Sequence, residues 1–327
     1  MEDIVKRTIR ATAVAALCCA ALTAGLVGCE TDTQSDPEPA ASEGSGKTDS
    51  ADKGSEKLVT GTQKIPVGDQ SVNVSCSGDA VDGRPVVVLM AGLGDGLDKL
   101  AGIQKTLSEN GRVCSYDRLG EGASDKPAGP QTVADSGEVL TAVIDRVAGD
   151  APVVLAGHSL GGLIAARYAP DHQDRVKGLV LMDATSPTTT ADVTEVIPES
   201  ATGPGAQVRA GVVAVNKGQN DEKLTVTDGE VRSAGDIPVE VIQHGVKYLA
   251  AVPEYGPDLE QGWADGQRKW LKVSSNSTLR TAEKSDHEIY VKQPDLAVQA
   301  IERVTEQAAG GASAQSPQPT PTVEAGS

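Results

Sequence analysis

The 327-residue sequence contains no phenylalanine, and it has only two tryptophans and five tyrosines. Leu, Val, Ile and Ala therefore have to fill the hydrophobic core. Positive charge is also scarce: 29 Lys and Arg stand against 46 Asp and Glu, which gives a net charge of −17. This balance argues against nucleic acid as a partner. The sequence has no group of residues at metal-ligand spacing, so we expect neither a metal nor another cofactor.

Long apolar runs are absent except near the N-terminus. Three basic residues precede an uncharged, alanine-rich run at positions 11–27, which is short for a membrane span. The run ends in Gly28-Cys29, which resembles the lipobox of bacterial lipoprotein signal peptides. The resemblance implies cleavage before Cys29, lipid attachment to its thiol and a location outside the cytoplasm, anchored to the membrane. An ordinary signal peptide and a retained anchor helix are the alternatives.

Cysteine is the next scarce residue. Of the five cysteines, Cys18 and Cys19 would leave with the signal peptide and Cys29 would be lipidated. Cys76 and Cys114 remain, and an oxidising compartment favours a disulfide between them. Both lie in strand-like segments, so two unpaired core cysteines are the alternative.

Composition divides the chain into four parts. Residues 1–28 are the predicted signal peptide, and residues 29–57 are polar and predict a disordered tether that begins at the lipidated cysteine. Residues 58–307 are long enough for one α/β domain. Residues 308–327, rich in Pro, Gln and Thr, predict a disordered tail.

Within the domain, apolar runs alternate with helical stretches. Strands are predicted at residues 85–90, 112–116, 151–155, 178–183 and 237–243, and helices at 99–107, 133–147, 163–168 and 294–307. Nearly continuous apolar strands that alternate with helices indicate a mostly parallel sheet covered on both faces.

The segment Gly157-His158-Ser159-Leu160-Gly161 joins one of these strands to a helix. A nucleophilic serine has to stand on such a sharp turn, and the two glycines lack the Cβ atoms that would collide where strand and helix pass closely. The helix N-terminus then faces the reaction site. The motif predicts Ser159 as a nucleophile; a glycine-rich turn with an incidental serine is the alternative.

Four segments in a fixed order resemble the α/β-hydrolase superfamily, over about residues 58–304. They are Ala91-Gly92-Leu93-Gly94, the segment 116–125 (Tyr-Asp-Arg-Leu-Gly-Glu-Gly-Ala-Ser-Asp), the Gly-x-Ser-x-Gly motif and the segment 285–294 around His287. The resemblance implies an α/β-hydrolase fold, with a lid insertion at residues 184–236. Ala91 departs from the family pattern, which often has histidine there.

The resemblance assigns the base to His287, which precedes the final helix. Of the other histidines, His158 is expected to pack beneath the serine turn and His172 to lie on the surface. For His244 a loop histidine with its own partners is favoured, and a place in the lining of the site is the alternative. The resemblance also implies that the main-chain N–H groups of Leu93 and Leu160 stabilise an oxyanion.

The acid is harder to assign, because the turn after the predicted strand 237–243 has no carboxylate. Asp183 ends the apolar strand after the serine turn, at the family's other location for the acid, and burial of a carboxylate is costly without a partner such as an imidazole N–H. We therefore favour Asp183 as the acid, with Asp258 or Glu254 as alternatives.

Together these features predict a monomeric serine hydrolase that cleaves carboxylic esters or related acyl bonds of small molecules. The lid region has no aromatic residue, which disfavours a strongly apolar, lipase-like lid. A cofactor-free peroxidase or an acyltransferase with the same residues is an alternative. A binding lipoprotein of this fold without turnover is another, and it would be favoured if Asp183 lay beyond hydrogen-bond reach of His287.

Overall fold

The computed structural model describes residues 58–314, and their side chains as far as residue 310. Within these residues the strands are β1 (Gly61–Val67), β2 (Gln70–Ser77), β3 (Val86–Met90), β4 (Val113–Tyr116), β5 (Gln131–Thr132), β6 (Val153–His158), β7 (Val176–Met182), β8 (Leu224–Thr225), β9 (Val239–His244) and β10 (Ser277–Ala282). The α-helices are α1 (Ala101–Leu107), α2 (Val133–Ala148), α3 (Leu160–Tyr168), α4 (Thr189–Val196), α5 (Gly203–Asn216), α6 (Gly256–Trp270), α7 (Ile289–Lys292) and α8 (Pro294–Ala314).

Eight strands form one sheet in the order β1-β2-β4-β3-β6-β7-β9-β10. The strand β2 pairs antiparallel with β1 and β4, and all other neighbours in this sheet are parallel. Every residue of the central strands β3 and β6 is buried, as apolar parallel strands covered on both faces should be. The prediction of a mostly parallel α/β sheet is confirmed.

Helices cover the sheet on both faces. The core on one face includes Leu140 of α2 and Leu163 of α3, and the core on the other includes Ile103 of α1 and Ile301 of α8. Aliphatic side chains dominate both clusters, as the lack of phenylalanine requires. Burial of these side chains is the main source of the domain's stability.

A cap lies between β7 and β9 and contains the helices α4 and α5. The helix α6, which follows β9, packs against α4 and so belongs to the same layer. These helices and the adjoining segments share an apolar cluster, formed by Val193, Ile197, Val208, Val212, Leu249, Val252 and Leu259. The cap therefore extends beyond the predicted insertion at residues 184–236, and α6 supplies the aromatic side chains that the insertion lacks.

Other predictions from the sequence are met or adjusted. A disulfide joins Cys76 and Cys114, which lie directly opposite each other on β2 and β4. The last helix continues to Ala314, past its predicted end at residue 307, so the first part of the predicted tail is helical. The predicted signal peptide, Cys29 and the tether lie outside the described residues. Within the described part of the chain, no helix combines the length and the apolar character needed to cross a membrane.

Candidate active site

Ser159 occupies a sharp turn between β6, which ends at His158, and α3, which begins at Leu160. Its φ of 49° lies in the left-handed region that a non-glycine residue rarely adopts. A Cβ on Gly157 would lie 2.5 Å from main-chain atoms of Gly161, so strand and helix pass each other only because this position has no side chain. The strain at Ser159 is thus held by the packing of the turn, as is common at functional sites.

Asp183 and His287 are joined by a hydrogen bond of 2.7 Å between Asp183 Oδ2 and His287 Nδ1. Asp183 directly follows β7 and is fully buried, and its own φ is 45°. Burial by itself raises the pKa of this carboxyl group, but hydrogen bonds from His244 and His287 outweigh it and hold the pKa below its usual range. Asp183 is therefore an acceptor-only carboxylate at neutral pH.

The turn at Ser159 contacts the loops that carry Asp183 and His287. The Ser159 carbonyl accepts a 3.0 Å bond from the main-chain N–H of Thr185, and the Oγ atoms of these two residues lie 3.4 Å apart. The ring of His158 lies 4.6 Å from the ring of His287, measured between centroids. The structure thus gathers Ser159, Asp183 and His287 at the ends of neighbouring strands and in the loop before α7.

His158 is a buried support for the His287 loop. Its Nε2–H donates a 3.0 Å hydrogen bond to the His287 carbonyl oxygen. Burial and the neighbouring His287 lower the pKa of His158 to about 3, so this ring is neutral at physiological pH. His172, the histidine expected at the surface, is partly exposed and stacks on Tyr168 at a centroid distance of 3.7 Å.

The loop at residues 91–96, called here the 91–96 loop, lies beside Ser159. A Cβ on Gly92 would lie 3.4 Å from the Ser159 Cβ. Among the described residues, the main-chain N–H groups of Leu93 and Leu160 have no hydrogen-bond acceptor. Leu160 is the first residue of α3, where N–H groups are unpaired and carry the positive end of the helix dipole. Two free donors are thus available next to the serine turn.

The buried side chains of Arg118 and Glu121 hold the 91–96 loop through hydrogen bonds to its main chain. Arg118 donates to the carbonyl oxygens of Ala91 and Gly92, and it forms an ion pair with Glu222 of the cap at 2.7 Å. Glu121 accepts the N–H of Gly94 at 2.8 Å. Burial and the nearby Glu222 raise the pKa of Glu121 to about 8. Glu222 lies 104 residues from Arg118 in the sequence, and no sequence pattern identifies it as the partner.

Three further side chains reach Asp183 or its partners. His244 Nδ1 lies 2.9 Å from Asp183 Oδ2, and its Nε2 lies 2.9 Å from Glu260 Oε2. Trp263 Nε1–H donates to Asp183 Oδ1 at 2.9 Å. His244 was expected as a loop histidine, and Glu260 and Trp263 were missed. Glu260 and Trp263 are three residues apart on α6, so they share one helix face, but this spacing does not reveal that the face is turned towards Asp183.

The two alternative carboxylates lie elsewhere. Glu254 and Asp258 are exposed, near the start of α6. The carboxylate in contact with His287 Nδ1 is that of Asp183. Among the described residues, no group of three His, Cys, Asp or Glu side chains is arranged to hold a metal ion.

Comparison with known proteins gives the class of fold. Residues 85–203 match the family model described as alpha/beta hydrolase fold. An enol-lactonase from Burkholderia xenovorans superposes with a TM-score of 0.53 at 20% identity, covering 74% of this chain and 99% of that one. A proline iminopeptidase from Mycobacterium smegmatis superposes with a TM-score of 0.54 at 16% identity, covering 77% and 99%. The chain therefore has the α/β-hydrolase fold, as its motifs predict.

Curated relatives match over a shorter stretch. RutD of Klebsiella pneumoniae, a proposed carbamate hydrolase, is 39% identical over 103 residues, which is 31% of this chain and 38% of that protein. The (lyso)-N-acylphosphatidylethanolamine lipase of Homo sapiens is 32% identical over 103 residues, 31% of this chain and 30% of that protein. This chain therefore matches less than two fifths of the length of these two relatives.

Proposed function

We propose that the chain is a serine hydrolase that cleaves carboxylic ester or related acyl bonds. The Ser159 Oγ attacks the substrate carbonyl carbon while its proton passes to His287 Nε2. The oxyanion accepts hydrogen bonds from the N–H groups of Leu93 and Leu160. The leaving alcohol takes the proton from His287, and an acyl-enzyme remains. Water then attacks the acyl carbonyl carbon while His287 takes a proton from it, and His287 returns this proton to Ser159 Oγ as the acid leaves.

The observation that carries this proposal is the 2.7 Å contact between His287 Nδ1 and the Asp183 carboxylate, beside a strained serine turn. A carboxylate at Nδ1 fixes the tautomer that leaves Nε2 free to accept a proton, and it stabilises the imidazolium that forms. Absence of this contact would have favoured a binding protein without turnover. The presence of the contact supports an enzyme.

The compared proteins support hydrolysis more than any single substrate. Their names are those of a proposed carbamate hydrolase, a lipase, an enol-lactonase and an iminopeptidase. Carbonyl attack by an activated serine is chemistry that suits esters, lactones and amides alike. We therefore propose the acyl carbonyl as the reacting group and leave the substrate class at small-molecule esters and related acyl compounds.

Labelling with a fluorophosphonate probe tests the proposal, because the probe reacts with activated serines. Wild-type domain should label, and Ser159→Ala should not. Asp183→Asn should label much more slowly, because the asparagine no longer holds His287 in the right tautomer or stabilises its charge. Ser136→Ala, which removes a buried serine of α2, is the matched control and should label like wild type. Absence of wild-type labelling would overturn the proposal.

We also propose that the protein is exported and anchored through a lipid on Cys29. The Cys76–Cys114 disulfide supports export, because such bonds persist in oxidising compartments. Mass spectrometry of the N-terminal peptide should find an acylated Cys29 in membrane fractions. Cys29→Ala should move the protein out of those fractions, whereas Cys18→Ala should not; equal membrane content of both variants would count against the anchor.

A further inference from the structure

The Asp183 carboxylate has more partners than the acid of a three-residue catalytic chain needs. His287 Nδ1 contacts Oδ2 at 2.7 Å, and His244 Nδ1 contacts the same oxygen at 2.9 Å. Trp263 Nε1–H and the main-chain N–H of His244 both donate to Oδ1, at 2.9 and 3.1 Å. Both oxygens are thus held, and the carboxylate cannot rotate without the loss of several hydrogen bonds.

His244 is itself placed between two carboxylates. Its Nδ1 faces Asp183, and its Nε2 lies 2.9 Å from Glu260 Oε2. The other oxygen of Glu260, Oε1, accepts main-chain N–H groups of Leu249 and Ala250, and hydrogen bonds of this kind favour the ionised, acceptor-only form of the carboxyl group. A histidine makes hydrogen bonds to two acceptor-only groups only when both ring nitrogens carry protons. The geometry therefore calls for an imidazolium.

The electrostatics of the site agree with this geometry. Burial by itself lowers the pKa of His244, but the hydrogen bonds to Asp183 and Glu260 raise it to about 9. A buried charge is tolerated where it is paired and hydrogen-bonded, and His244 has one carboxylate at each nitrogen.

We infer that His244, held in its doubly protonated form by Asp183 and Glu260 together, is a positioning residue that fixes Asp183 against His287 and sets the pH range in which His287 acts as a base. This inference rests on the proposed function, because it concerns the same serine, histidine and aspartate. His244 and Glu260 act only through Asp183 and touch no reacting atom. Their effect is electrostatic as well as structural.

The charge balance predicts opposite effects for the two residues. Asp183, His244 and Glu260 together carry one negative charge when His244 is protonated. Loss of the His244 charge leaves two negative charges near His287, which favours protonated His287 and moves the acidic limb of the pH profile to higher pH. In Glu260→Gln, Asp183 still accepts from His244 Nδ1 and keeps that ring protonated, so Asp183 and His244 together are neutral and the acidic limb moves to lower pH.

Other charged and titratable groups also face these two rings. The groups near His287, its sequence neighbours included, and near His244 are Asp183, His158, Tyr248, Asp286, Glu288 and Glu260. Burial, Asp183 and Glu260 raise the pKa of Tyr248 well above its ordinary value, so its hydroxyl stays neutral. Burial likewise keeps His158 neutral. His244 is thus the one cation among these neighbours apart from His287 itself.

The test measures the second-order rate of fluorophosphonate labelling between pH 5 and 9 for four folded variants. The quantity compared is the pH at which the labelling rate falls to half on the acidic side of the profile. For His244→Gln we expect this midpoint about one pH unit above that of wild type, and for Glu260→Gln about one unit below it. In the double variant Asp183 alone carries one negative charge, which equals the sum in wild type, so the acidic midpoint should lie close to the wild-type value. Glu240→Gln, on the same strand as His244, removes a buried carboxylate that is paired with Arg280 and Arg303, and serves as the control with an unchanged limb.

Direct observation of wild type covers the case in which a variant fails to fold. Nitrogen-15 spectra of labelled protein at pH 7 should show His244 with both nitrogens protonated. A neutral His244, or limbs of both single variants that match the control, would overturn the inference while labelling itself persists. Loss of all labelling in wild type would instead overturn the proposed function, and the inference with it.

Discussion

Arg118 Nη2 lies 2.9 Å from the carbonyl oxygen of Gly92, the residue that packs on Ser159. The same guanidinium makes two hydrogen bonds to the Glu222 carboxylate, at 2.7 and 2.8 Å. Arg118 and Glu222 are 3% and 1% exposed, so this is a buried bidentate ion pair between the sheet and the cap. The position of the 91–96 loop therefore depends on a residue that follows the two cap helices.

Glu222→Gln should destabilise the domain strongly. It leaves the buried Arg118 charge without its counterion, and loss of one partner of such a pair costs about 3–5 kcal/mol. Chemical denaturation with guanidinium chloride measures the change. We expect the double variant Arg118→Met/Glu222→Met to recover part of the loss, because it buries no unpaired charge. Asp265→Asn breaks an exposed pair with Arg268 and should leave the midpoint nearly unchanged; an equal midpoint for Glu222→Gln would contradict the prediction.

Glu121→Gln should change the pH dependence of stability. The folded-state pKa of Glu121 is about 8, above its ordinary value, so the folded protein holds a proton that the unfolded chain releases. Stability therefore falls as pH rises from about 4.5 to 8. Glutamine resembles the protonated form and removes this loss. The melting temperatures should agree near pH 5, and the variant should melt about 5 °C higher at pH 8.5.

The control for this experiment is the pH itself, since both proteins are compared at each value. A constant difference between Glu121→Gln and wild type at all pH values would indicate a packing effect and no titration. Scanning calorimetry or fluorescence at several pH values between 5 and 8.5 separates the two results.

The sequence predicted the parts of the site that depend on local chain geometry. Ser159 follows from two glycines on a strand-to-helix turn, and Asp183 from a carboxylate at the end of an apolar strand. Both signals extend over a few residues, because strand ends and sharp turns impose their own residue requirements. The order of the four motifs along the chain was likewise sufficient to predict the α/β-hydrolase fold.

The partners of these residues depend on tertiary packing. Glu222 is 104 residues from Arg118 in sequence, and Glu260 is 16 residues from His244 on a helix whose orientation no local pattern reveals. A buried glutamate in a polar amphipathic helix looks like a surface residue until the helix is docked. The contact between Asp183 and His287 was therefore predictable from the sequence, and the contacts that His244, Glu260 and Trp263 add to it were not.

Gly161→Ala should damage both stability and labelling. An added Cβ would lie 2.5 Å from the carbonyl oxygens of Met90 and Ala91, which are main-chain atoms that cannot move away cheaply. We expect a loss of about 3 kcal/mol in the free energy of unfolding, since overpacking of this kind forces backbone shifts. Gly102→Ala in α1 meets no atom within 4 Å and should stabilise slightly. Equal stabilities of the two variants would show that the turn tolerates a side chain.

Gly262→Leu should alter the choice of acyl group. A cleft between α4 and α6 is lined by Ser186, Thr189, Asp192, Val193, Val196, Leu249, Leu259, Gly262 and Trp263. The Trp263 ring stands edge-on to His287 at 5.4 Å, so this small cleft adjoins the candidate site, and under the proposed function we expect the acyl chain of an ester to extend towards it. A Cβ on Gly262 meets no atom within 4 Å, and a leucine therefore extends into open space.

The measurement is kcat/KM for p-nitrophenyl acetate and p-nitrophenyl butyrate. In Gly262→Leu the ratio of butyrate to acetate should fall about tenfold, because the filled cleft excludes the longer chain while the shorter one still fits. Gly262→Ala fills less of the space and should give a smaller change in the same direction. An equal loss on both esters would mean that the leucine disturbs the site as a whole, and that the acyl chain lies outside this cleft.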